Sequence, residues 1–101
     1  MLKVNDVVTI QLINGAEIIG KFQEETPSEI VLYKPRMVQV QEQGQVALIP
    51  AVCMTGEEPN GDVKFYKTGL TLMCKTVSQL TTDYITSTSG IITPTAGILK
   101  Q

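Results

Sequence analysis

The 101-residue sequence contains no histidine and only two cysteines, Cys53 and Cys74. Without histidine it lacks the commonest general base near neutral pH and the imidazole ligand of a mixed zinc site. The two cysteines stand too far apart for a CxxC redox or zinc pair, which leaves two buried thiols or a disulfide between them as the alternatives. We therefore expect no metal and no cofactor.

Charged side chains are also few. They make up 18% of the chain, and 8 basic against 10 acidic residues give a formal net charge of -2. With this balance the chain has no excess of positive charge to bind the phosphates of duplex DNA, so any contact with nucleic acid has to be local. No segment approaches the roughly 20 apolar residues that span a bilayer, and the amino terminus lacks a secretory signal. We expect no duplex DNA partner, no membrane partner and a cytoplasmic location.

Motifs of the common enzyme classes are missing as well. The chain has neither a glycine-rich phosphate loop followed by Lys-Ser nor a GxSxG elbow. The Glu-Glu pairs at 24–25 and 57–58 are adjacent carboxylates, and neighbouring residues of a strand point to opposite faces. They are typical of solvated turns, and no set of converging oxygen ligands accompanies them. We expect a protein that is not an enzyme.

What the sequence does contain is a series of strand signals. Residues 8–12 alternate apolar and polar side chains and run into the Asn-Gly pair at 14–15, a strong hairpin signal. The return segment places Ile18, Gly20 and Phe22 on one face. Since Gly20 cannot fill that row, it predicts a sharp bend or a close crossing of backbones.

Further strands are predicted downstream. Residues 30–41 form a long strand kinked near Pro35, and residues 63–67 and 70–75 meet at a tight Thr-Gly corner at 68–69. Residues 46–54 are apolar on both faces, as expected of a strand that is covered twice.

The spacing becomes helical near residue 77. Val77, Leu80 and Tyr84 recur at helical intervals, a Thr or Ser near the start can cap the helix, and Gly90 can end it. This pattern predicts a helix over 77–88 and an extended tail over 90–101.

A series of short strands with glycine corners can close into a small barrel, which removes the exposed edges of an open sheet. A chain of this length with 43% hydrophobic residues normally forms one domain. We therefore predict a mainly β fold in a single domain over 1–101. It is a strongly bent antiparallel barrel of five or six strands, within about 4–75, followed by one C-terminal helix.

Two segments resemble the motifs of the Sm-like family. Residues 8–22, VTIQLINGAEIIGKF, are similar to the first Sm motif, in which apolar alternation leads to two glycines and then an apolar residue. Residues 63–72, VKFYKTGLTL, are similar to the second, with Lys67 and Gly69 in place of an arginine-glycine pair. Together the motifs cover about a quarter of the chain, and the layout resembles small phage-type Sm-like proteins.

The resemblance implies an SH3-type Sm-like barrel that assembles into a homo-oligomeric ring through its edge strands, with single-stranded RNA as a partner. In the loop at 25–29, however, Glu-Thr-Pro-Ser-Glu replaces the family's stacking ring and base-reading amide, so the pocket is non-standard. The candidate RNA contacts are Thr26, Ser28, Glu29, Tyr66, Lys67, Thr68 and Gly69. The candidate ring-interface residues are Val63, Phe65, Leu70, Leu72 and Cys74.

Each of these candidates also has a structural interpretation. Lys67 is either a phosphate or base-edge contact or a solvated strand end, and Tyr66 or Tyr33 is either a stacking face or part of the core or an interface. Two functions stay open: a ring that binds single-stranded RNA, and an oligomeric structural or adaptor protein that binds protein and not RNA. The sequence does not give the number of subunits.

Overall fold

The computed structural model describes residues 2–51, 56–57 and 60–89. In these ranges it has one antiparallel sheet and one C-terminal helix, as the predicted mainly β class requires. The strands are β1 (Val7–Leu12), β2 (Glu17–Glu25), β3 (Glu29–Val40), β4 (Val46–Pro50), β5 (Asp62–Tyr66) and β6 (Leu70–Lys75). The helix is α1 (Ser78–Thr88), and two 3₁₀ turns cover Glu42–Gly44 and Lys67–Gly69.

The sheet has the order β4-β3-β2-β1-β6, and β5 also pairs with β3. Residues 29–33 of β3 pair with β5, and residues 36–40 pair with β4. No ladder joins β5 to β6 in the part of the chain that the structure describes, so the sheet is not closed and the predicted barrel is not confirmed. The reason is the turn Lys67–Gly69, which carries the chain from the β3 side to the β1 side instead of folding β6 back onto β5.

The first hairpin forms at the predicted Asn-Gly turn. β1 pairs with β2 in a continuous register from Val7 opposite Lys21 onward. The Asn14 side-chain oxygen accepts a hydrogen bond from the Ala16 amide at 3.0 Å. Gly15 takes a φ of 92°, a backbone conformation that favours glycine. Local turn chemistry therefore fixes this register.

Gly20 lies where β2 passes close to β3. A Cβ added to this residue would stand 2.9 Å from Leu32 Cβ and 3.4 Å from the Tyr33 carbonyl oxygen. The pairing of β2 with β3 also shifts between Ile19 and Lys21. The close crossing predicted for this glycine is confirmed.

The core lies on one face of the sheet and is built from alternate residues of the first three strands. Each of these side chains is at most 8% exposed: Val8, Ile10, Ile18, Phe22, Ile30 and Leu32. Phe65 of β5, together with Leu70 and Met73 of β6, packs against them in partly buried positions. β5 and β6 are thus held to one core without a ladder between them.

The helix α1 is anchored at the bend of β3. Tyr84 is fully buried, and its hydroxyl donates to the carbonyl oxygens of Tyr33 at 2.5 Å and of Lys34 at 3.0 Å. Lys34 Nζ donates in turn to the Thr88 carbonyl oxygen at 2.7 Å. Lys34 has a φ of 48° directly before Pro35, which marks the kink predicted in this strand.

The helix begins at residue 78, one position later than predicted. Val77 occupies the cap position without a side-chain cap hydrogen bond, so the predicted Thr or Ser cap is wrong. Val77 is also 64% exposed, while Tyr84 and Thr88 are the buried residues of the helix.

Two further expectations are corrected. Within the described residues β4 ends at Pro50 and pairs with β3 alone. Val46 and Pro50 are exposed and the three residues between them are only partly buried, so this part of the predicted strand is not covered on both faces. Cys74 is a free, exposed cysteine rather than a buried thiol, because it lies on the face of β6 turned away from the core. Cys53, the last residues of the predicted fourth strand and the tail at 90–101 lie outside the described residues.

Candidate functional site

The two loops predicted to contact RNA lie side by side. The Lys67 amide donates to the Ser28 carbonyl oxygen at 2.9 Å, and Glu29 pairs with Tyr66 in the ladder between β3 and β5. The ladder brings the loop after β2 against the end of β5. Residues from two distant segments therefore form one corner of the molecule.

The loop between β2 and β3 is shaped by Thr26. Its hydroxyl oxygen accepts hydrogen bonds from the amides of Ser28 at 3.3 Å and Glu29 at 3.0 Å. Its own amide donates to the Glu29 carbonyl oxygen at 2.9 Å. Because these bonds occupy the Thr26 side chain, its role here is to hold the loop.

The Lys67 ammonium is paired with a carboxylate. Its Nζ lies 2.7 Å from Glu25 Oε2, and the two side chains are 32% and 44% exposed. A ligand phosphate would have to compete with Glu25 for this cation. Sequence reasoning had placed Glu25 in a solvated turn, and no local pattern links it to a lysine 42 positions away.

Thr68 and Gly69 face a different feature, a groove of about 380 Å³ beside the first hairpin turn. Its apolar lining includes Leu12, Phe65 and Leu70, and its polar lining comes from Asn14, Lys64 and Thr68. The Gly69 carbonyl oxygen accepts a hydrogen bond from the Ile13 amide at 3.0 Å, which holds the turn Lys67–Gly69 to the hairpin.

Tyr66 also lines this groove and is 61% exposed. A groove of this volume lies within the range of small-ligand sites, and an aromatic ring beside an apolar surface suits a flat ligand such as a nucleobase. Asn14 and Lys64 supply hydrogen-bond donors at the same place. Neither residue was a sequence candidate, since Asn14 carries a turn signal and Lys64 alternates with apolar residues of a strand.

The opposite side of the turn Lys67–Gly69 forms a second groove of about 290 Å³. Glu25 and Lys67 line it together with residues of β6, among them Leu72 and Met73. The seven candidate RNA contacts thus divide among three places. Thr26, Ser28 and Glu29 lie at the loop after β2, Tyr66, Thr68 and Gly69 line the first groove, and Lys67 lines the second.

The candidate ring-interface residues fall into two groups. Val63, Phe65 and Leu70 are partly buried on strands that border the core. Leu72 is 51% exposed, and Cys74 is exposed beside it on the outer face of β6. On β5 and β6, the side chains that face solvent are therefore mainly those that point away from the core.

The backbone of β5 has an open side. β5 pairs with β3 alone among the strands of the described residues. The Lys34 amide donates to the Gly61 carbonyl oxygen at 2.9 Å, and hydrogen-bonded pairs alternate along an antiparallel ladder. Alternate residues of β5 therefore direct their N–H and C=O groups away from β3. These residues are Asp62, Lys64 and Tyr66.

The backbone of β6 is open in the same way. β6 pairs with β1 alone within the described ranges. The Thr76 amide donates to the Val7 carbonyl oxygen at 3.2 Å, so the same alternation turns the N–H and C=O groups of Met73 and Lys75 away from β1.

Metal binding and membrane insertion find no support among the described residues. Within them no cluster of three or more acidic or cysteine side chains could hold a metal ion, and no helix is long and apolar enough to cross a bilayer. The sequence matches no protein-family model and no curated protein. The resemblance to Sm-like proteins therefore rests on the two motif segments.

Proposed function

We propose that this chain is an Sm-like protein that forms a homo-oligomeric ring and binds single-stranded RNA at a non-standard site. The observation that carries the proposal is the pair of open strand edges, β5 and β6, on either side of one three-residue turn. Unpaired backbone groups at a sheet edge are a template for pairing with another chain. In the ring, β5 of each copy pairs with β6 of the next.

Charge selects one register for this pairing. When Lys64 stands opposite Met73 of the neighbouring copy, Asp62 stands opposite Lys75. Opposite charges across an antiparallel pair contribute roughly 0.2–1 kcal/mol. A shift by two residues would instead set Lys64 against Lys75, which is unfavourable. The interface joins two different edges, so it is heterologous and forms a ring when the rotation closes.

A charge swap tests the interface. Lys75→Asp sets two acidic side chains against each other, and native mass measurement at a fixed concentration should show a shift toward 11.0 kDa subunits. Adding Asp62→Lys should restore the assembly, because the pair is then reversed. Lys3→Asp changes the same charge on an exposed residue outside both strands and should have no effect. Failure of the double variant to reassemble would contradict the register.

The groove beside Tyr66 is the proposed RNA site. Stacking of a base on an aromatic side chain is worth about 1–3 kcal/mol, so Tyr66→Ala should weaken binding of a fluorescent oligo-U or oligo-A by about 5- to 150-fold. Glu25→Gln should strengthen binding, since it releases the Lys67 ammonium for a phosphate. Glu42→Gln removes an exposed carboxylate from the distant turn Glu42–Gly44 and is the matched control.

The RNA proposal has a clear contradicting outcome. If no short single-stranded RNA binds at protein concentrations well above the micromolar range, while the ring is intact by mass, RNA is not the ligand. The second candidate function, an oligomeric adaptor that binds protein, would then be preferred. It is favoured by the carboxylates near Lys67: Glu25 pairs with its ammonium and Glu29 lies opposite Tyr66 in the ladder, and both repel phosphates.

A further inference from the structure

Among the strands that the structure describes, β4 is an edge strand that lacks the usual protection against pairing. Protein edges are commonly blunted by lysine, other charges, bulges or proline. From Gln45 to Ile49 this strand carries no charged side chain, and its register against β3 is continuous, with only Pro50 at its end. Val46 is 44% exposed, and Val40 opposite it on β3 is 70% exposed.

The direction of the open backbone groups follows from the turn before β4. The Gln41 amide donates to the Gln45 carbonyl oxygen at 2.6 Å. Because hydrogen-bonded pairs alternate, Ala47 and Ile49 direct their backbone groups toward β3, and Val46 and Leu48 direct theirs outward. Between Val46 and Ile49 the outward edge thus presents two N–H and two C=O groups, with the small residue Ala47 between them.

We propose that β4 pairs with β4 of a second copy, antiparallel, about a two-fold axis at Ala47. Val46 of each copy then stands opposite Leu48 of the other, which uses all four outward N–H groups of the two strands. The two Ala47 residues meet in the close, non-hydrogen-bonded position, where Cα atoms approach to about 4.5 Å and small side chains fit. The other registers centred within Val46–Ile49 that satisfy both donors of each strand have to use Pro50 or the turn residue Gly44.

The apolar pattern supports a second copy as the occupant. Val38 faces Leu48 and Val40 faces Val46 across the β3–β4 ladder, so these four side chains share one face. The two-fold pairing extends this face from one copy into the other and places Leu48 of the second copy beside the exposed Val46. Since neither strand is charged, self-pairing meets no like-charge repulsion. This contact is isologous and separate from the β5–β6 edges, so it joins ring to ring rather than neighbour to neighbour.

Cysteine cross-linking tests the axis directly. In a Cys53→Ser/Cys74→Ser background, Ala47→Cys should give a disulfide-linked dimer of about 22 kDa, twice 11.0 kDa, under mild oxidation, since its partner lies within disulfide distance. Val46→Cys is the matched control, because its own copy across the axis lies more than about 7 Å away, beyond the reach of a disulfide. Cross-linking at both positions, or at neither, would overturn the proposal.

A mass measurement separates this contact from the ring. Val46→Lys places a charge on the edge and should halve the assembled mass while the β5–β6 contact persists. Lys75→Asp should instead disrupt the β5–β6 contact of the ring and leave the Ala47→Cys cross-link between two copies in place. An unchanged mass for Val46→Lys would refute the pairing of β4, and it would leave the ring and RNA proposals standing.

Discussion

Replacing Gly20 with alanine tests how closely β2 and β3 approach. The added methyl carbon would lie 2.9 Å from Leu32 Cβ, 3.2 Å from Leu32 Cδ1 and 3.4 Å from the Tyr33 carbonyl oxygen. Leu32 is fully buried in the core, and its Cβ is fixed to the backbone of a paired strand. The contact can therefore be relieved only by moving β3 away from β2.

Two opposing terms set the size of the effect. Overpacking of a buried site typically costs about 1–3 kcal/mol. The lower chain entropy of unfolded alanine returns about 0.4–1 kcal/mol. We expect a net loss of about 1–2 kcal/mol in the free energy of unfolding. For a domain of this size, that corresponds to a fall of about 4–16 °C in Tm.

Thermal unfolding followed by circular dichroism, at equal protein concentrations, measures this fall. Gly61→Ala is the matched control, because a Cβ at Gly61 meets nothing within 4 Å and the residue has no positive φ. Its Tm should stay constant or rise by a few degrees. If Gly20→Ala is as stable as Gly61→Ala, the close crossing of β2 and β3 is refuted.

Three further predictions concern the helix anchor and the ion pair. Tyr84→Phe should cost about 1–3 kcal/mol by chemical denaturation, since the carbonyl oxygens of Tyr33 and Lys34 lose a buried donor; an unchanged midpoint would contradict the docking of α1. Burial raises the pKa of Tyr84 above its usual 10.0, so its contribution to stability is complete below pH 10 and declines as pH rises through the folded pKa. If the denaturation midpoint of Tyr84→Phe falls at alkaline pH as much as that of the parent protein, titration of Tyr84 is not the cause of the fall. A double-mutant cycle on Glu25 and Lys67 should give a coupling of at most about 1 kcal/mol, as expected of a half-exposed pair, and a much larger value would contradict the exposed geometry.

Local signals in the sequence predicted most of the strands. The Asn-Gly pair at 14–15 fixes a turn by backbone preference, and the alternation around Ile18 and Phe22 identifies the core face, so both could be deduced without the fold. Whether the sheet closes could not be deduced, because closure depends on how the chain leaves β5. The turn Lys67–Gly69 directs β6 to β1, and no short-range pattern reveals that choice.

The candidate site was predictable only in part. The corner at Lys67–Gly69 was visible from its glycine and its resemblance to a motif, but the ion pair from Lys67 to Glu25 joins residues 42 positions apart. The same limit applies to Asn14, which reaches the groove because β1 and β5 lie near each other in the folded chain. Tyr84 illustrates the converse, since helical spacing predicted its element but gave no indication of the two carbonyl oxygens it binds.

The mass of the native assembly tests the central claim, that open edges on β5 and β6 join copies of this chain into a ring. Native mass spectrometry, checked by light scattering, should give one dominant species at an integral multiple of 11.0 kDa. Lys75→Asp should dissociate it, and the Lys75→Asp/Asp62→Lys double variant should restore it. A clean monomer of 11.0 kDa at working concentration would contradict the ring.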